Sequence, residues 1–198
     1  MERRTGIYPG TFDPVHPGHI AFAEGAMRVC GLDEVIFTPE QKPRGKEHVT
    51  GISHRIALAE RATEAIVGLR VVQLASEQFN VAQTLPELHR TFGDSKLTLL
   101  VGSDIVRTFL YRWEGLDTLL ADVSLAIGMR SSDNPDEIMT IMDELAHGYD
   151  ISIDYTLIST PEADIASSQI RNGTADMSRL HPGMLAYMQQ HQLYTQQP

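Results

Sequence analysis

Gly6-Ile7-Tyr8-Pro9-Gly10-Thr11-Phe12-Asp13-Pro14-Val15-His16-Pro17-Gly18-His19-Ile20 decides the reading of this chain. An apolar strand over residues 4–8 runs into a turn rich in glycine and proline, and the turn ends at two histidines, His16 and His19. A helix opens at once: Ile20, Ala23, Met27 and Cys30 recur at near-helical spacing, and Gly31 is placed to stop it. Gly10 and Gly18 let the backbone approach a ligand or take positive φ. Pro17 suits the first helical position, where a missing N–H costs nothing. The free N–H groups of that helix start favour an anion, most naturally phosphate, and His16 and His19 share the first turn and can face the same anion. A neutral imidazole donates one N–H to a phosphate oxygen; a protonated one adds charge. Two histidines in a loop would be incidental, but a strand, a Gly-Thr-Phe-Asp-Pro turn and a helix start give this pair the setting that a phosphate site needs.

The run Gly10-Thr11-Phe12-Asp13-Pro14-Val15-His16-Pro17-Gly18-His19 resembles the nucleotide-binding motif of the nucleotidylyltransferase superfamily, which includes the nicotinate mononucleotide and phosphopantetheine adenylyltransferases. The resemblance implies nucleotide binding by Gly10, Thr11, Phe12 and Gly18, with His16 and His19 on the triphosphate.

Composition is compatible with that. The chain has 198 residues, enough for one domain with a sizeable core, and ordinary hydrophobic and charged fractions. Its formal charge of −10 argues against nucleic acid as the main partner, because binding a phosphate backbone needs a basic surface. The single cysteine, Cys30, excludes an intrachain disulfide, fits a reducing compartment and falls on the apolar face of the first helix, where it reads as core. No apolar run approaches membrane-spanning length, and no apolar segment follows Arg3 and Arg4 to make a signal peptide. The expectation is a cytoplasmic protein without a membrane partner.

Further along, residues 34–38 read as a buried strand. Residues 39–52 form a polar loop in which Lys42, Arg44 and Lys46 concentrate positive charge. That loop is either a solvated surface or a basic flap over phosphates. In the resembled family the corresponding loop carries a phosphate-reaching lysine, a role that Lys46 or Lys42 would take here. Ser53 is placed to cap a helix over 53–67 with Ile56, Ala59, Ala62 and Ile66 inward. A strand over 70–74, a helix over 82–91 and a strongly apolar strand over 96–101 follow, the last closed by Gly102-Ser103-Asp104. A carboxylate at the carboxyl edge of a parallel sheet lies where open α/β folds bind ligands. Asp104 either accepts ribose hydroxyls there or caps its own helix. The family has Gly-x-Asp at this point, which implies nucleotide binding by Gly102 and Asp104. Trp113, the one tryptophan, offers either core packing or an aromatic face for a flat heterocycle. The nicotinate branch of the family carries a tryptophan at the matching place, implying contact with the acceptor.

A helix over 116–120, a strand over 123–127, a turn over 130–135, a helix over 135–146 with Ile138, Ile141, Met142 and Leu145 on one face, and a strand over 151–157 complete the alternation. Alternating strands and helices argue a doubly wound parallel sheet, a Rossmann-like α/β fold in one domain with a small helical part from about residue 165 to 198. The second motif is Ile165-Ala166-Ser167-Ser168-Gln169-Ile170-Arg171. Ser167 and Ser168 can cap a helix and present hydroxyls and N–H groups to phosphate, and Arg171 can reach the same anion. It resembles the family's Ile-Ser-Ser-Thr-x-Ile-Arg motif. The tail Tyr187-Met188-Gln189-Gln190-His191-Gln192-Leu193-Tyr194 is similar to the end of the nicotinate branch and reads as structural.

The resemblance, which spans residues 6–194, implies transfer of AMP from ATP to nicotinate mononucleotide with release of pyrophosphate. Mg²⁺ would arrive with ATP, with no metal ligands assigned to the protein itself. The implied partners are ATP and a mononucleotide, and a homo-oligomer is compatible with the sequence. One departure bears on the acceptor: where the branch has Ser-Tyr-Thr-x-Asp-Thr-Leu, this chain has Phe79-Asn80-Val81-Ala82-Gln83-Thr84-Leu85, keeping only Thr84 and Leu85. Nicotinamide mononucleotide and phosphopantetheine are the alternative acceptors, and a nucleotide-binding regulator without turnover is the alternative class. Trp113 and the tail argue against phosphopantetheine, and intact His16, His19 and Arg171 argue against a regulator.

Overall fold

A computed structural model describes residues 2–159 and 166–195. Six strands form one parallel sheet in the order β3-β2-β1-β4-β5-β6, with β1 at Arg4–Gly10, β2 at Glu34–Pro39, β3 at Leu69–Val71, β4 at Lys96–Gly102, β5 at Ser124–Met129 and β6 at Tyr155–Ser159. The strand order reverses between β1 and β4, which pair from Arg4↔Lys96 to Ile7↔Leu99. At such a reversal the loops leaving the carboxyl ends diverge to opposite faces and leave a crevice for ligand. The expected doubly wound sheet is therefore observed.

Helices cover both faces. On one lie α1 (Pro17–Cys30), α2 (Ile52–Thr63), the short α7 (Ser167–Arg171) and α8 (Pro182–Gln190), whose Phe22, Ala26, Leu58, Ile170 and Met188 share a core with Val35, Phe37 and Leu100. On the other lie α3 (Val81–Phe92), α4 (Ser103–Thr108), α5 (Leu116–Asp122) and α6 (Pro135–Tyr149), packed on Ile7, Ile36, Leu99 and Ile127. Side chains alternate across each strand, so a fully buried parallel strand feeds both cores. All six residues of β2 are buried.

Several boundaries differ from the sequence reading for identifiable reasons. β1 runs two residues further, to Gly10, because its register with β2 continues to Gly10↔Pro39. Pro17 opens α1 and Gly31 closes it in the left-handed conformation at φ 61°, as expected. Its buried face is centred on Phe22, Ala23 and Ala26, leaving Ile20, Met27 and Cys30 half-buried at its margins. Ser53 does not cap α2: Gly51 does, and the helix ends at Thr63, short of the expected residue 67. The strand expected over 70–74 is three residues at the sheet edge, and that expected over 151–157 begins at Tyr155. On α6 the expected Ile138, Ile141, Met142 and Leu145 are the buried residues. Among the described residues no helix is long and apolar enough to cross a membrane.

Candidate active site

The turn after β1 and the start of α1 lie at the strand-order reversal. Phe12 takes φ 49°, a left-handed conformation uncommon for an aromatic residue, and its ring is buried against Tyr8, Phe37 and His19. Gly10 makes this arrangement fit, since a Cβ there would lie 2.8 Å from the Phe12 ring. The Phe12 ring is 2% exposed, so it acts on the site through packing, and any contact with a nucleotide falls to its backbone. Gly18 is buried in the first turn of α1.

His16 and His19 lie with ring centroids 3.6 Å apart. The backbone N–H of His16 donates to Nδ1 of His19 at 3.2 Å, so the proton of a neutral His19 sits on Nε2, which is left to donate. Burial pushes the His16 imidazole down to about 4, aided by the charge of Arg130. Burial also holds His19 well below the ordinary range, with His16 and Lys46 adding to the effect. Both rings are therefore neutral donors at neutral pH. Among the described residues, the buried Nδ1 of His16 has no hydrogen-bond partner, an uncommon state for a buried polar atom. On one side His16 borders a groove of about 510 Å³ between α1, α2 and residues 179–184.

Two cations converge on this turn from distant parts of the chain. Lys46, from the basic loop, donates from Nζ to Thr11 Oγ1 at 3.0 Å. Lys42 instead pairs with Glu77 at 2.7 Å, which leaves Lys46 as the loop lysine at the motif. Arg171 donates from Nη1 to the backbone oxygen of Asp13 at 2.6 Å. That bond uses one of five guanidinium donors and holds the rest of the fork beside the turn.

The second motif differs in detail from its reading. Ile165 lies outside the described residues. Ala166, not a serine, caps α7, and Ser167 and Ser168 occupy its first two positions. The Ser167 hydroxyl donates to the Pro14 carbonyl at 2.9 Å, so it ties α7 to the turn, while Ser168 is exposed.

At the carboxyl end of β4, Asp104 is exposed in the first turn of α4, which Gly102 caps. A Cβ on Gly102 would collide with the Asp104 carboxylate. Asp104 Oδ2 faces the Arg130 guanidinium at 3.6 Å, and both charges are felt at Tyr8. Trp113 is half-buried, with one edge on Phe109 at 5.0 Å. Thr84 is 1% exposed, and its hydroxyl accepts the Asn80 N–H at 3.0 Å, so it fastens the start of α3.

Four participants escaped the sequence reading. Asp13 lies inside the motif but carried no assigned role. Arg130 follows β5 directly, and a cation at the carboxyl end of a parallel strand was the available signal. Arg55 carried none, and Tyr194 was read only as part of a structural tail, because their partners are distant in sequence.

Comparison with known proteins agrees with this geometry. The cytidylyltransferase-like family model matches residues 7–173. A probable nicotinate-nucleotide adenylyltransferase of Gemmatimonas aurantiaca is 32% identical over 177 residues, covering 87% of this chain and 82% of the relative. One from Listeria monocytogenes is 28% identical over 202 residues, covering 98% of each chain. The fold matches that of Plasmodium falciparum nicotinic acid mononucleotide adenylyltransferase complexed with NaAD, with a TM-score of 0.74 at 17% identity over 98% of each chain. The strand-order crevice, the histidine pair and the matched span lead to one conclusion: this chain belongs to the cytidylyltransferase-like family of nucleotidyltransferases.

Proposed function

We propose that this protein transfers AMP from ATP to the phosphate of nicotinate mononucleotide, releasing pyrophosphate. The observation that carries the reading is the convergence of four donors on one turn: the stacked, neutral His16 and His19, Lys46 on Thr11, and Arg171 on Asp13. The names of the relatives supply the acceptor.

In this reaction an oxygen of the acceptor phosphate attacks the α-phosphorus of ATP, and the bond to the β-phosphate oxygen breaks. Such chemistry needs alignment and stabilisation of developing negative charge, with no covalent group from the protein. Nε2 of His19 donates to the triphosphate, and His16 beside it does the same. Neutral rings suit this task, because they stay donors across the neutral range without carrying a proton that they would have to lose. Lys46 and the Arg171 fork hold the departing phosphates. Asp104 takes ribose hydroxyls at the end of β4. Trp113 offers the face of its ring to the pyridine. Mg²⁺ carried with ATP would be held mainly by phosphate oxygens and water and would offset their charge. Among the described residues no group of three or more His, Cys, Asp or Glu gathers to hold a metal.

Nicotinamide mononucleotide is the second reading, favoured by one observation. Val81 lies against the turn after Trp113, where a Cβ on Gly115 would be 3.2 Å from its Cγ1. An apolar side chain thus stands where the resembled branch has a hydroxyl. The test is incubation with ATP, Mg²⁺ and each mononucleotide in turn, following pyrophosphate. Turnover of nicotinate mononucleotide is expected. Release with phosphopantetheine alone, or with no acceptor, overturns the proposal.

A further inference from the structure

Among the described residues Arg55 is the one lysine or arginine that is buried, at 1% exposure. Removing a guanidinium from water is unfavourable unless its N–H groups find acceptors. Arg55 finds them in backbone carbonyls: Nε donates to Thr50 at 2.7 Å, Nη1 to Thr11 at 2.6 Å and Nη2 to Glu40 at 2.7 Å. These carbonyls are far apart in sequence and belong to two structures. Thr11 is part of the phosphate-binding turn. Glu40 follows β2 and Thr50 precedes the cap of α2, so they are the two ends of the basic loop.

The surrounding charge reinforces the arrangement. Burial disfavours the charged guanidinium, and the carboxylates of Asp13 and Glu40 offset part of that. Asp13 also accepts the Thr50 N–H at 3.3 Å, and Glu40 accepts the Phe79 N–H at 2.7 Å. From the middle of the same loop Lys46 reaches Thr11 Oγ1 at 3.0 Å. Thr11 therefore receives the guanidinium on its carbonyl and the loop's lysine on its hydroxyl.

We propose that Arg55 is a positioning residue. It clasps both ends of loop 40–51 to Thr11 and so holds Lys46 over the phosphate-binding turn. Its burial keeps it from touching substrate, and it acts through the lysine. Lysine at this position keeps the charge but gathers its donors on one nitrogen, so it cannot span three carbonyls set around a planar fork. The task given to Lys46 rests on the function proposed above; the clasp does not.

Arg55→Lys in the full chain is the variant of choice, since Arg55→Ala leaves three carbonyls unpaired around a cavity and risks misfolding. Two measurements test the clasp and its consequence separately. The first is trypsin cleavage after Arg44 and Lys46 in folded protein. The variant should be cut at least ~10-fold faster, as freed loop ends open more often; equal rates overturn the clasp. The second is a double-mutant cycle with Lys46→Ala, read on kcat/KM for ATP. Lys46→Ala should cost ~10–100-fold in the native background and under ~3-fold beside Arg55→Lys, because a displaced lysine has little left to lose. Equal losses in both backgrounds overturn the positioning role and leave Arg55 a support of the fold. If the native protein turns over no mononucleotide, the functional proposal fails, the trypsin rates still decide the clasp, and the cycle read on ATP affinity decides the positioning role by the same two outcomes.

Discussion

Tyr194 donates its hydroxyl to the Asp13 carboxylate at 2.7 Å, joining the end of the chain to the turn that carries the histidine pair. Asp13 is 4% exposed, and its other carboxylate oxygen accepts the Thr50 N–H. Burial and this carboxylate raise the Tyr194 phenol above its ordinary range, so it remains a donor at any working pH. The tail is thus structural in a specific sense: it closes the hydrogen-bond requirement of a buried charge inside the motif.

Tyr194→Phe should lower stability by about 1–2 kcal/mol, the usual consequence of leaving a buried acceptor short of a partner. The measurement is the urea midpoint, with the slope unchanged. Activity should fall as well, because Asp13 carries Arg171 on its carbonyl. An unchanged midpoint would show that water replaces the hydroxyl without cost.

His19→Ala should reduce kcat at least ~100-fold in a folded protein, the size typical of losing one preorganised donor to developing charge. His19→Asn, with a donor amide in nearly the same place, should recover part of the loss. Near-native kcat in the alanine variant would remove His19 from the chemistry.

The depressed histidines also predict how stability varies with pH. His16 titrates near 4 in the folded chain and about 6.5 when unfolded, and His19 shifts in the same direction. Between those values the unfolded chain binds protons that the native one does not. The pair therefore costs no stability above pH ~6.5, and stability falls as the pH drops toward 4. The slope is up to about 1.4 kcal/mol per pH unit for each histidine. Denaturation at pH 7, 6 and 5 should show this decline, and His16→Asn should flatten it. A native slope equal to that of the variant would contradict the burial argument.

How much of this was legible in the sequence depends on the range of each interaction. The sheet, the turn and α1 follow from local patterns: apolar runs, Pro17 at a helix start, Gly31 at its end. Trp113 and Asp104 stand at fixed offsets from strand ends, which is why the sequence could place them beside the sheet's carboxyl edge before any role was assigned. At Thr84 a matching residue type says nothing of which way the hydroxyl turns, and here it turns to Asn80. Arg55, on a helix whose apolar spacing looked complete without it, gave no warning that a guanidinium would occupy the core. Its acceptors lie 5, 15 and 44 positions away, brought together by the sheet rather than by any local pattern.

In the proposed reaction the choice of acceptor turns on the neighbourhood of Trp113. Under the proposed function, stacking on the indole would serve either pyridine ring, so discrimination would fall to groups facing the ring substituent. The acid needs donors; the amide needs one donor and one acceptor. Val81, 6% exposed beside the Gly115 backbone, contributes neither. Glu114 is exposed, so the repulsion that an inward carboxylate would exert on the acid is relieved by solvent. A pocket with a full set of hydrogen bonds to a substituent discriminates by ~10⁴ or more. With the hydroxyl missing, a preference for nicotinate over nicotinamide mononucleotide of only ~10–100-fold in kcat/KM is expected. Val81→Thr should widen that ratio by restoring a donor next to the Trp113 turn, with stability measured alongside, since the new hydroxyl is buried. Both acceptors assayed in one reaction give the ratio directly. A preference for nicotinamide mononucleotide in the native protein would mean that the acceptor pocket reads the amide, and that Val81 marks a change of substrate rather than a loosened one.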